Sequence, residues 1–258
     1  KKYNAQISVR SLFDNPRFEE FCRHIETAER GARLPAMISH PVVGDHPLSY
    51  GQSRLWYFEQ LNPGTCVNNI PGALLIKGDF DVAGVRFAVN ELFSRHAVLR
   101  ATFYLDGENG PKQHINARVV PDFIELNVAD ILQADAITEY IDAQLAIQTT
   151  TPFDLTTGPL LRVQIHKLPA IKREGDTSVA QYALIFCMHH IASDGLSMNV
   201  LLRELMTHYA SYASRKPMLL PSLKLQYTDY ARWQREWLES SDVEEELQYW
   251  EQQLRGTA

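Results

Sequence analysis

The sequence predicts an α/β fold, an α+β two-layer sandwich in which a mixed sheet is flanked by helices. Strand-like segments alternate along the chain with segments whose apolar residues recur at helical spacing. Two strand-like segments, Arg100–Leu105 and Lys112–Ala117, flank the sequence DGENG, which is typical of a hairpin turn. Because hairpins pair antiparallel strands and helical crossovers join parallel ones, we expect strands of both directions.

The clearest strand and helix pair lies in Tyr182–Tyr212. Its apolar run, Tyr182–Met188, has the length of a fully buried strand. Apolar residues then return at helical spacing, at Val200, Leu201, Leu205 and Tyr209. Arg203 and Glu204 are predicted on the opposite, polar face of this helix.

His189 and His190 lie where this strand ends and the helix begins. Neighbouring residues of a strand point to opposite faces, so at most one imidazole faces a given cleft. Ser193 or Asp194 can cap the helix, because an oxygen there accepts hydrogen bonds from first-turn amides. Each residue also has a purely structural interpretation, as a packed core histidine or a cap. Their combination at the end of a predicted central strand favours a functional site.

The remaining elements follow from the same patterns. Further helices are predicted at Ser49–Leu61, Val82–Arg95, Ala134–Gln148, Tyr227–Leu238 and Val243–Leu254. Further strands are predicted at Gly72–Lys77, Asp122–Asn127 and Leu160–His166. Connecting loops are predicted at 151–160 (TPFDLTTGPL), Arg173–Ser178 and Ser214–Leu223. The helix Ser49–Leu61 carries Leu55, Phe58 and Leu61 on one face, and the helix Val82–Arg95 carries Val85, Val89 and Leu92 on one face.

Three segments of different character divide the chain. Residues 1–27 include a helix that begins after Asn15-Pro16 and carries Phe18, Phe21, Cys22 and Ile25 on one face. Residues 28–46 are rich in glycine and proline and are predicted to be a linker. Residues 47–258 hold the other elements and are expected to form the main domain.

Composition excludes several classes of function. The 258 residues are 45% hydrophobic and 22% charged, which is typical of a globular protein with a sizeable core. A net charge of -6 argues against nucleic-acid binding, and no apolar run is long enough to predict a membrane span. Cys22, Cys66 and Cys187 are too scattered for a disulfide framework or a zinc site, so we expect no metal and a cytoplasmic location.

The sequence MHHIASDGLS resembles the signature of condensation domains of nonribosomal peptide synthetases, which share a superfamily with chloramphenicol acetyltransferase. Three further stretches resemble motifs of that family, in the same order. They are LSYGQSRLWYFEQLNPGTCVNNIPGALLIKG (Leu48–Gly78), RHAVLRATF (Arg95–Phe103) and LQYTDYARWQREWL (Leu225–Leu238). The resemblance implies one chloramphenicol acetyltransferase-like lobe.

The resemblance implies a catalytic role for His190, as a general base or as the group that orients an attacking amine. Gly195 is expected to leave room for substrate beside it, and the amides that open the helix to stabilise an oxyanion. Ser197 completes the motif. In many relatives a tryptophan occupies the position of Leu196 and a glutamate that of Ala97, and these departures bear on subtype.

Structural roles are implied for His189 and Asp194. Asp194 is expected to pair with an arginine of RHAVLRATF, with Arg95 favoured over Arg100, since a buried carboxylate needs such a partner. The aromatic residues Tyr227, Tyr230 and Trp233 are expected to be core residues, with contacts to substrate as the alternative.

The implied reaction is amide bond formation between a carrier-bound acyl or peptidyl thioester and a carrier-bound aminoacyl acceptor. No cofactor is expected to bind tightly to this chain; the 4'-phosphopantetheine arms of upstream and downstream carrier domains would deliver the substrates. Residues 1–27 resemble the last helix of a carrier domain, and residues 47–258 an N-terminal lobe. The C-terminal lobe, expected to be absent from this sequence, and an adenylation domain are further implied partners.

Other functions stay open at the level of sequence. Degenerate relatives serve as non-catalytic platforms for partner enzymes, and epimerisation relatives keep both histidines. Heterocyclisation relatives replace the histidines by aspartates, and LNPGTCVNNIP with DGLS most resembles the subtype that accepts L-configured donors. A direct acetyltransferase that uses soluble coenzyme A fits less well with the carrier-like start of the chain.

Overall fold

The computed structural model describes residues 9–27, 35–172, 178–240 and 243–256. The α-helices are α1 (Val9–Asp14), α2 (Phe18–Thr27), α3 (Tyr50–Leu61), α4 (Val82–Arg95), α5 (Ile137–Thr150), α6 (Gly195–Ser214), α7 (Tyr227–Leu238) and α8 (Glu244–Leu254). The strands are β1 (Gly44–Pro47), β2 (Asn69–Lys77), β3 (Ala101–Leu105), β4 (Pro111–Ile115), β5 (Asp122–Asn127), β6 (Leu161–Lys172) and β7 (Ser178–His189). The chain forms two compact units, Ile38–Arg232 and a smaller one made of Lys1–Met37 with Trp233–Ala258.

The main sheet of the larger unit has the strand order β2-β7-β6-β5. Strand β7 pairs antiparallel with β2 and with β6, whereas β5 pairs parallel with β6. A second sheet, β1-β4-β3, is antiparallel and contains the predicted hairpin of β3 and β4. The mixed sheet flanked by helices confirms the predicted fold class.

Alternate residues of β7 pack on opposite faces of the main sheet, as the period of a strand requires. Leu184, Phe186 and Met188 belong to a core shared with α4 and α6. Ala183 and Ile185 belong to a second core that includes residues of α5. Helices therefore cover both faces of this sheet, and the layer that contains α5 adds to the two layers predicted. Strand β7 is buried on both faces, which explains its continuous apolar run.

Helix α4 has the predicted bounds and buries the predicted apolar face that carries Val85, Val89 and Leu92. Helix α3 also begins as predicted. The Ser49 hydroxyl accepts a hydrogen bond from the Gln52 amide, and Gln52 Oε1 accepts one from the Ser49 amide.

The three residues that share the predicted apolar face of α3 differ in burial. Leu55 packs partly buried against a core, Phe58 and Leu61 are exposed, and the buried residues of α3 are Gln52, Ser53 and Trp56. The Gln52 side chain donates to the Ile191 carbonyl and also contacts the Gln113 side chain. A buried polar residue is stable there because its hydrogen bonds are made within the protein.

Several boundaries differ from the predictions because pairing across the sheet extends an element beyond its local pattern. Residues 44–46 of the predicted linker belong to β1, which pairs with β4. Strand β2 begins at Asn69, before the predicted start, and β6 continues to Lys172. The first eight residues, residues 28–34 of the linker and residues 173–177 of the predicted loop lie outside the described residues.

The smaller unit contains α1, α2 and α8. Helix α2 follows Asn15-Pro16 as predicted, and Phe21, Cys22 and Ile25 are partly buried while Phe18 is exposed. Among its other contacts, the Trp233 indole stacks on Trp237 and its N–H donates to the Pro35 carbonyl. Within the described residues, no helix combines the length and the apolar character that crossing a membrane requires.

Candidate functional site

The two adjacent histidines occupy different environments at the end of β7. His189 is the last residue of the strand and is only 2% exposed. His190 begins a 3-10 turn, His190–Ala192, and is exposed. The backbone N–H of His190 donates to the Asn68 carbonyl at 2.8 Å, next to the start of β2. The strand end therefore holds one imidazole inside the protein and presents the other at the surface.

His189 is held by a hydrogen bond at each ring nitrogen. Its Nδ1 accepts from the Ile191 amide at 3.1 Å, and its Nε2 lies 3.1 Å from Glu59 Oε1. Since Nδ1 is an acceptor, the proton of the neutral ring is on Nε2, which donates to Glu59. Burial lowers the pKa of His189, while the hydrogen bond to Glu59 acts in the opposite direction. This ring has no nitrogen left for a substrate.

Glu59 is a site-forming residue that sequence reasoning misses. Its Oε1 also accepts from the Asn68 side chain at 2.8 Å, so it connects α3, the segment before β2 and the end of β7. Glu59 lies within the motif-like segment Leu48–Gly78, but nothing in the spacing of that segment indicates a contact with a residue 130 positions away.

His190 lines a pocket of about 100 Å³ on the surface of the larger unit. The pocket is formed by Val98, His190, Ile191, Ala192, Ser193, Asp194, Ser197 and Tyr227. The structure therefore brings His190, Asp194 and Ser197, three of the predicted site residues, to one cavity. Tyr227, expected in the core, is 39% exposed and lines the same cavity.

Asp194 is the N-cap of α6. The sequence alone leaves Ser193 and Asp194 as candidates for this cap. Its Oδ1 accepts from the Ser197 amide at 2.7 Å and from the Ser197 hydroxyl at 2.6 Å. The hydrogen bonds from Ser197 hold the pKa of this carboxyl below its usual value. Asp194 is exposed, so its charge is satisfied by the helix start and by water.

The expected ion pair between Asp194 and an arginine of RHAVLRATF is wrong. Arg95 donates from Nε to Glu204 Oε2 at 3.0 Å and from Nη2 to the Pro221 carbonyl at 2.7 Å. Arg100 donates to the carbonyls of Phe93, Ser94 and Asn116. The sequence predicts the ion pair because a buried carboxylate needs a cationic partner. Asp194 is exposed, whereas Glu204 is buried.

Glu204 is 4% exposed, although the sequence predicts it on the polar face of α6. Its Oε2 accepts from Arg95 Nε and lies 2.6 Å from His96 Nε2. A signal is present in the sequence, because Glu204 follows Leu201 by three residues and so lies on the buried face of the helix. A buried carboxylate is tolerated there because two cationic or donor side chains face it.

A second pocket of about 150 Å³ adjoins the first, since Val98, Ala192 and Ser197 line both. Its other lining residues are His96, Leu99, Met188, Val200 and Leu201. The cleft is therefore polar beside His190 and largely apolar farther on. This arrangement suits a substrate whose reacting groups lie beside the imidazole and whose side chain is hydrophobic.

Gly195 opens α6 beside this cleft. A methyl group built on it would meet no atom of the described chain within 4 Å. The fold of this chain therefore does not itself require glycine at this position. Within the described residues, no group of three His, Cys, Asp or Glu side chains is arranged to hold a metal ion.

The sequence profile described as "Condensation domain" matches residues 42–258. Over 255 residues the chain is 33% identical to gramicidin S synthase 2 of Brevibacillus brevis, and this match covers 97% of the chain and 5% of that synthase. Over 219 residues it is 35% identical to phosphinothricin tripeptide synthetase PhsC of Streptomyces viridochromogenes, and this match covers 83% of the chain and 19% of that protein.

The fold is similar to the solved starter condensation domain of the rhizomide synthetase RzmA, with a TM-score of 0.70 at 20% identity. This similarity covers 83% of the chain and 48% of that structure. The chain thus spans a small part of the curated relatives and about half of the solved domain. Because the profile match covers most of its residues, including the paired histidines and the capped helix that follows them, the chain belongs to the condensation domain family.

Proposed function

We propose that this chain contributes the histidine half of a site that joins a thioester-bound acyl group to an amine, forming an amide. The observation that carries the proposal is the difference between the environments of the two histidine side chains. His189 is buried, with both nitrogens engaged, whereas His190 lines an open pocket. A histidine side chain can exchange protons near neutral pH, so His190 is the group able to serve the reaction.

In the proposed step, the amine nitrogen attacks the thioester carbon, its lone pair forms the C–N bond, and the carbonyl electrons move to oxygen. His190 accepts a proton from the nitrogen, the tetrahedral intermediate collapses, and the C–S bond breaks with its electron pair on sulfur. The proton then passes from the imidazolium to the thiolate, which leaves as a thiol. His190 is thus a general base and then a general acid.

The substrates are proposed to arrive on the 4'-phosphopantetheine arms of an upstream and a downstream carrier domain. Tethering would place the amine and the thioester together and remove much of the entropic cost of their encounter. Support comes from the relatives, one of which is named as a tripeptide synthetase. An adenylation domain that loads the carriers belongs to the same proposal.

The domain boundaries are likewise proposed. The profile match begins at residue 42, whereas the match to gramicidin S synthase 2 covers 97% of the chain. This supports a carrier-derived segment at 1–27 and a linker within 28–46. The solved relative is about twice as long as its matched part, which supports a C-terminal lobe that completes the cleft opposite residues 47–258.

The test uses the intact synthetase with its carriers converted to the holo form. Amino acids and ATP are supplied, loaded carriers are identified by mass spectrometry, and amide formation is followed as the growing product on the acceptor arm. We expect His190→Ala to reduce the rate by about 10²-fold or more, the scale of general acid–base catalysis. Amide formation at the wild-type rate by His190→Ala would reject the proposal and favour a non-catalytic platform. A product that is only inverted at its α-carbon would favour an epimerisation function.

A further inference from the structure

Tyr227 places a second functional group in the His190 pocket. It is the first residue of α7 and lines the cavity with His190, Asp194 and Ser197. The cavity has a volume of about 100 Å³, and His190 and Tyr227 both line it.

The hydroxyl of Tyr227 is hydrogen-bonded to the hydroxyl of Ser49, which the cap of α3 holds in place. Tyr227 Oη lies 2.9 Å from Ser49 Oγ, and Ser49 is only 1% exposed. Ser49 Oγ already accepts from the Gln52 amide at 3.1 Å as the cap of α3. Either hydroxyl can donate in this pair. When Ser49 donates, Tyr227 keeps its own proton for a group in the cavity.

Tyr227 remains a neutral donor at the pH of the proposed reaction. Burial raises its pKa above the ordinary tyrosine value near 10, the hydrogen bond with Ser49 acts in the opposite direction, and the negative charge of Asp194 adds to the increase. A phenol that stays protonated can donate a strong hydrogen bond to a developing oxyanion without itself ionising.

The helix start, expected to stabilise the oxyanion, is poorly suited to that role. The Asp194 carboxylate accepts from the Ser197 amide and also interacts with the Leu196 amide. These donors are therefore engaged by the carboxylate. Tyr227 is a neutral donor among the residues that line the same cavity.

We propose that Tyr227 is a catalytic residue whose hydroxyl donates a hydrogen bond to the thioester carbonyl oxygen as it becomes an oxyanion. Ser49 is its positioning residue. This inference rests on the proposed amide-forming function and deepens it, because it assigns the group that stabilises the intermediate. His190 moves the proton, and Tyr227 stabilises the charge that develops on oxygen.

The test compares Tyr227→Phe with wild type in the intact holo-synthetase. We expect kcat to fall about 10²-fold, as for the loss of one oxyanion donor, with KM changed less than about twofold. The pH profile should keep its shape, because the His190 environment is retained. Tyr57→Phe is the matched control, since Tyr57 is a half-exposed tyrosine of α3 outside the pocket, and it should retain wild-type kcat.

Ser49 variants keep the inference testable if Tyr227→Phe does not fold. Ser49→Ala removes the donor to Tyr227 and should lower kcat about tenfold, whereas Ser49→Thr keeps a hydroxyl and should restore it. Equal rates for the alanine and threonine variants would count against the positioning role.

His190→Ala separates the two proposals. If it loses activity while Tyr227→Phe stays within about twofold of wild type, the oxyanion role is overturned and the amide-forming function stands. If His190→Ala itself retains the wild-type rate, the proposed function fails and the role of Tyr227 fails with it.

Discussion

Glu59 Oε1 and His189 Nε2 are 3.1 Å apart, and both side chains are almost completely buried. The pair fixes the ring of His189 against α3, and the Ile191 amide fixes its other nitrogen. His190 follows directly, so the rigidity of its neighbour determines where the exposed imidazole lies. The buried histidine is thus part of the scaffold for the exposed one.

This arrangement predicts that the folded protein loses stability as the pH falls through about 6.5, the ordinary histidine value. Burial lowers the pKa of His189 in the folded state, so the unfolded chain binds more protons in this range and the free energy of unfolding decreases as the pH falls. One histidine contributes a slope of at most about 1.4 kcal/mol per pH unit. Urea denaturation at pH 7.5 and at pH 5.5 measures this change in the free energy of unfolding.

The variant that tests this is His189→Asn. It should have a shallower pH dependence of unfolding than wild type, because the buried titrating group is gone. The same slope in wild type and in His189→Asn would show that His189 does not titrate differently on folding.

A second prediction concerns the buried carboxylate of Glu204. Glu204→Ala leaves Arg95 and His96 without their shared acceptor and should lower the free energy of unfolding by about 3 kcal/mol. Asp194→Ala removes only a helix cap and should cost about 1 kcal/mol. Urea denaturation of both variants shows which of them loses more unfolding free energy. A larger loss for Asp194→Ala would restore the expectation that the motif aspartate is the buried structural carboxylate.

Periodicity predicts the scaffold of the site well, because it reports which residues face the core. The bounds of α4, the hairpin of β3 and β4 and the buried run of β7 all follow from local pattern. The opposite environments of His189 and His190 arise because β7 ends at His189 and the chain leaves the sheet in a 3-10 turn at His190.

Contacts between distant segments cannot be predicted in this way. The hydrogen bond between His189 and Glu59 joins β7 to α3. The hydrogen bond between Arg95 and Glu204 joins α4 to α6. Each choice of partner depends on how helices pack on the sheet, which sequence spacing does not contain. The same limit explains why a core position is the wrong expectation for Tyr227, since its exposure depends on the cavity formed by residues from other elements.

A third prediction concerns Arg162, which supports His189 from the α5 side. Its guanidinium donates to the Thr151 carbonyl at 2.8 Å and stacks 3.9 Å from the Phe153 ring centroid, and that ring meets His189 edge-on. Arg162→Lys cannot keep both the forked hydrogen bonds and the stacking, so it should cost about 1–3 kcal/mol of unfolding free energy.

Arg203→Lys is the control for Arg162→Lys, because Arg203 is exposed on α6 and should tolerate the change within about 0.5 kcal/mol. Thermal and urea unfolding of the two variants are compared. A loss below about 0.5 kcal/mol for Arg162→Lys would mean that an ammonium group holds the end of α5 equally well.

The last prediction separates the needs of the fold from those of the reaction at Gly195. A methyl group there meets no atom of the described chain within 4 Å, so Gly195→Ala should change the free energy of unfolding by less than about 0.5 kcal/mol. In the intact synthetase the same variant should lower kcat/KM about tenfold or more, because the methyl group occupies space beside the cleft and displaces the reacting groups. Gly51→Ala, in the first turn of α3, is the control for stability alone, because its methyl group makes only an ordinary contact with Ser49 Oγ at 3.8 Å. Wild-type activity of Gly195→Ala would mean that the substrate does not approach His190 over the start of α6.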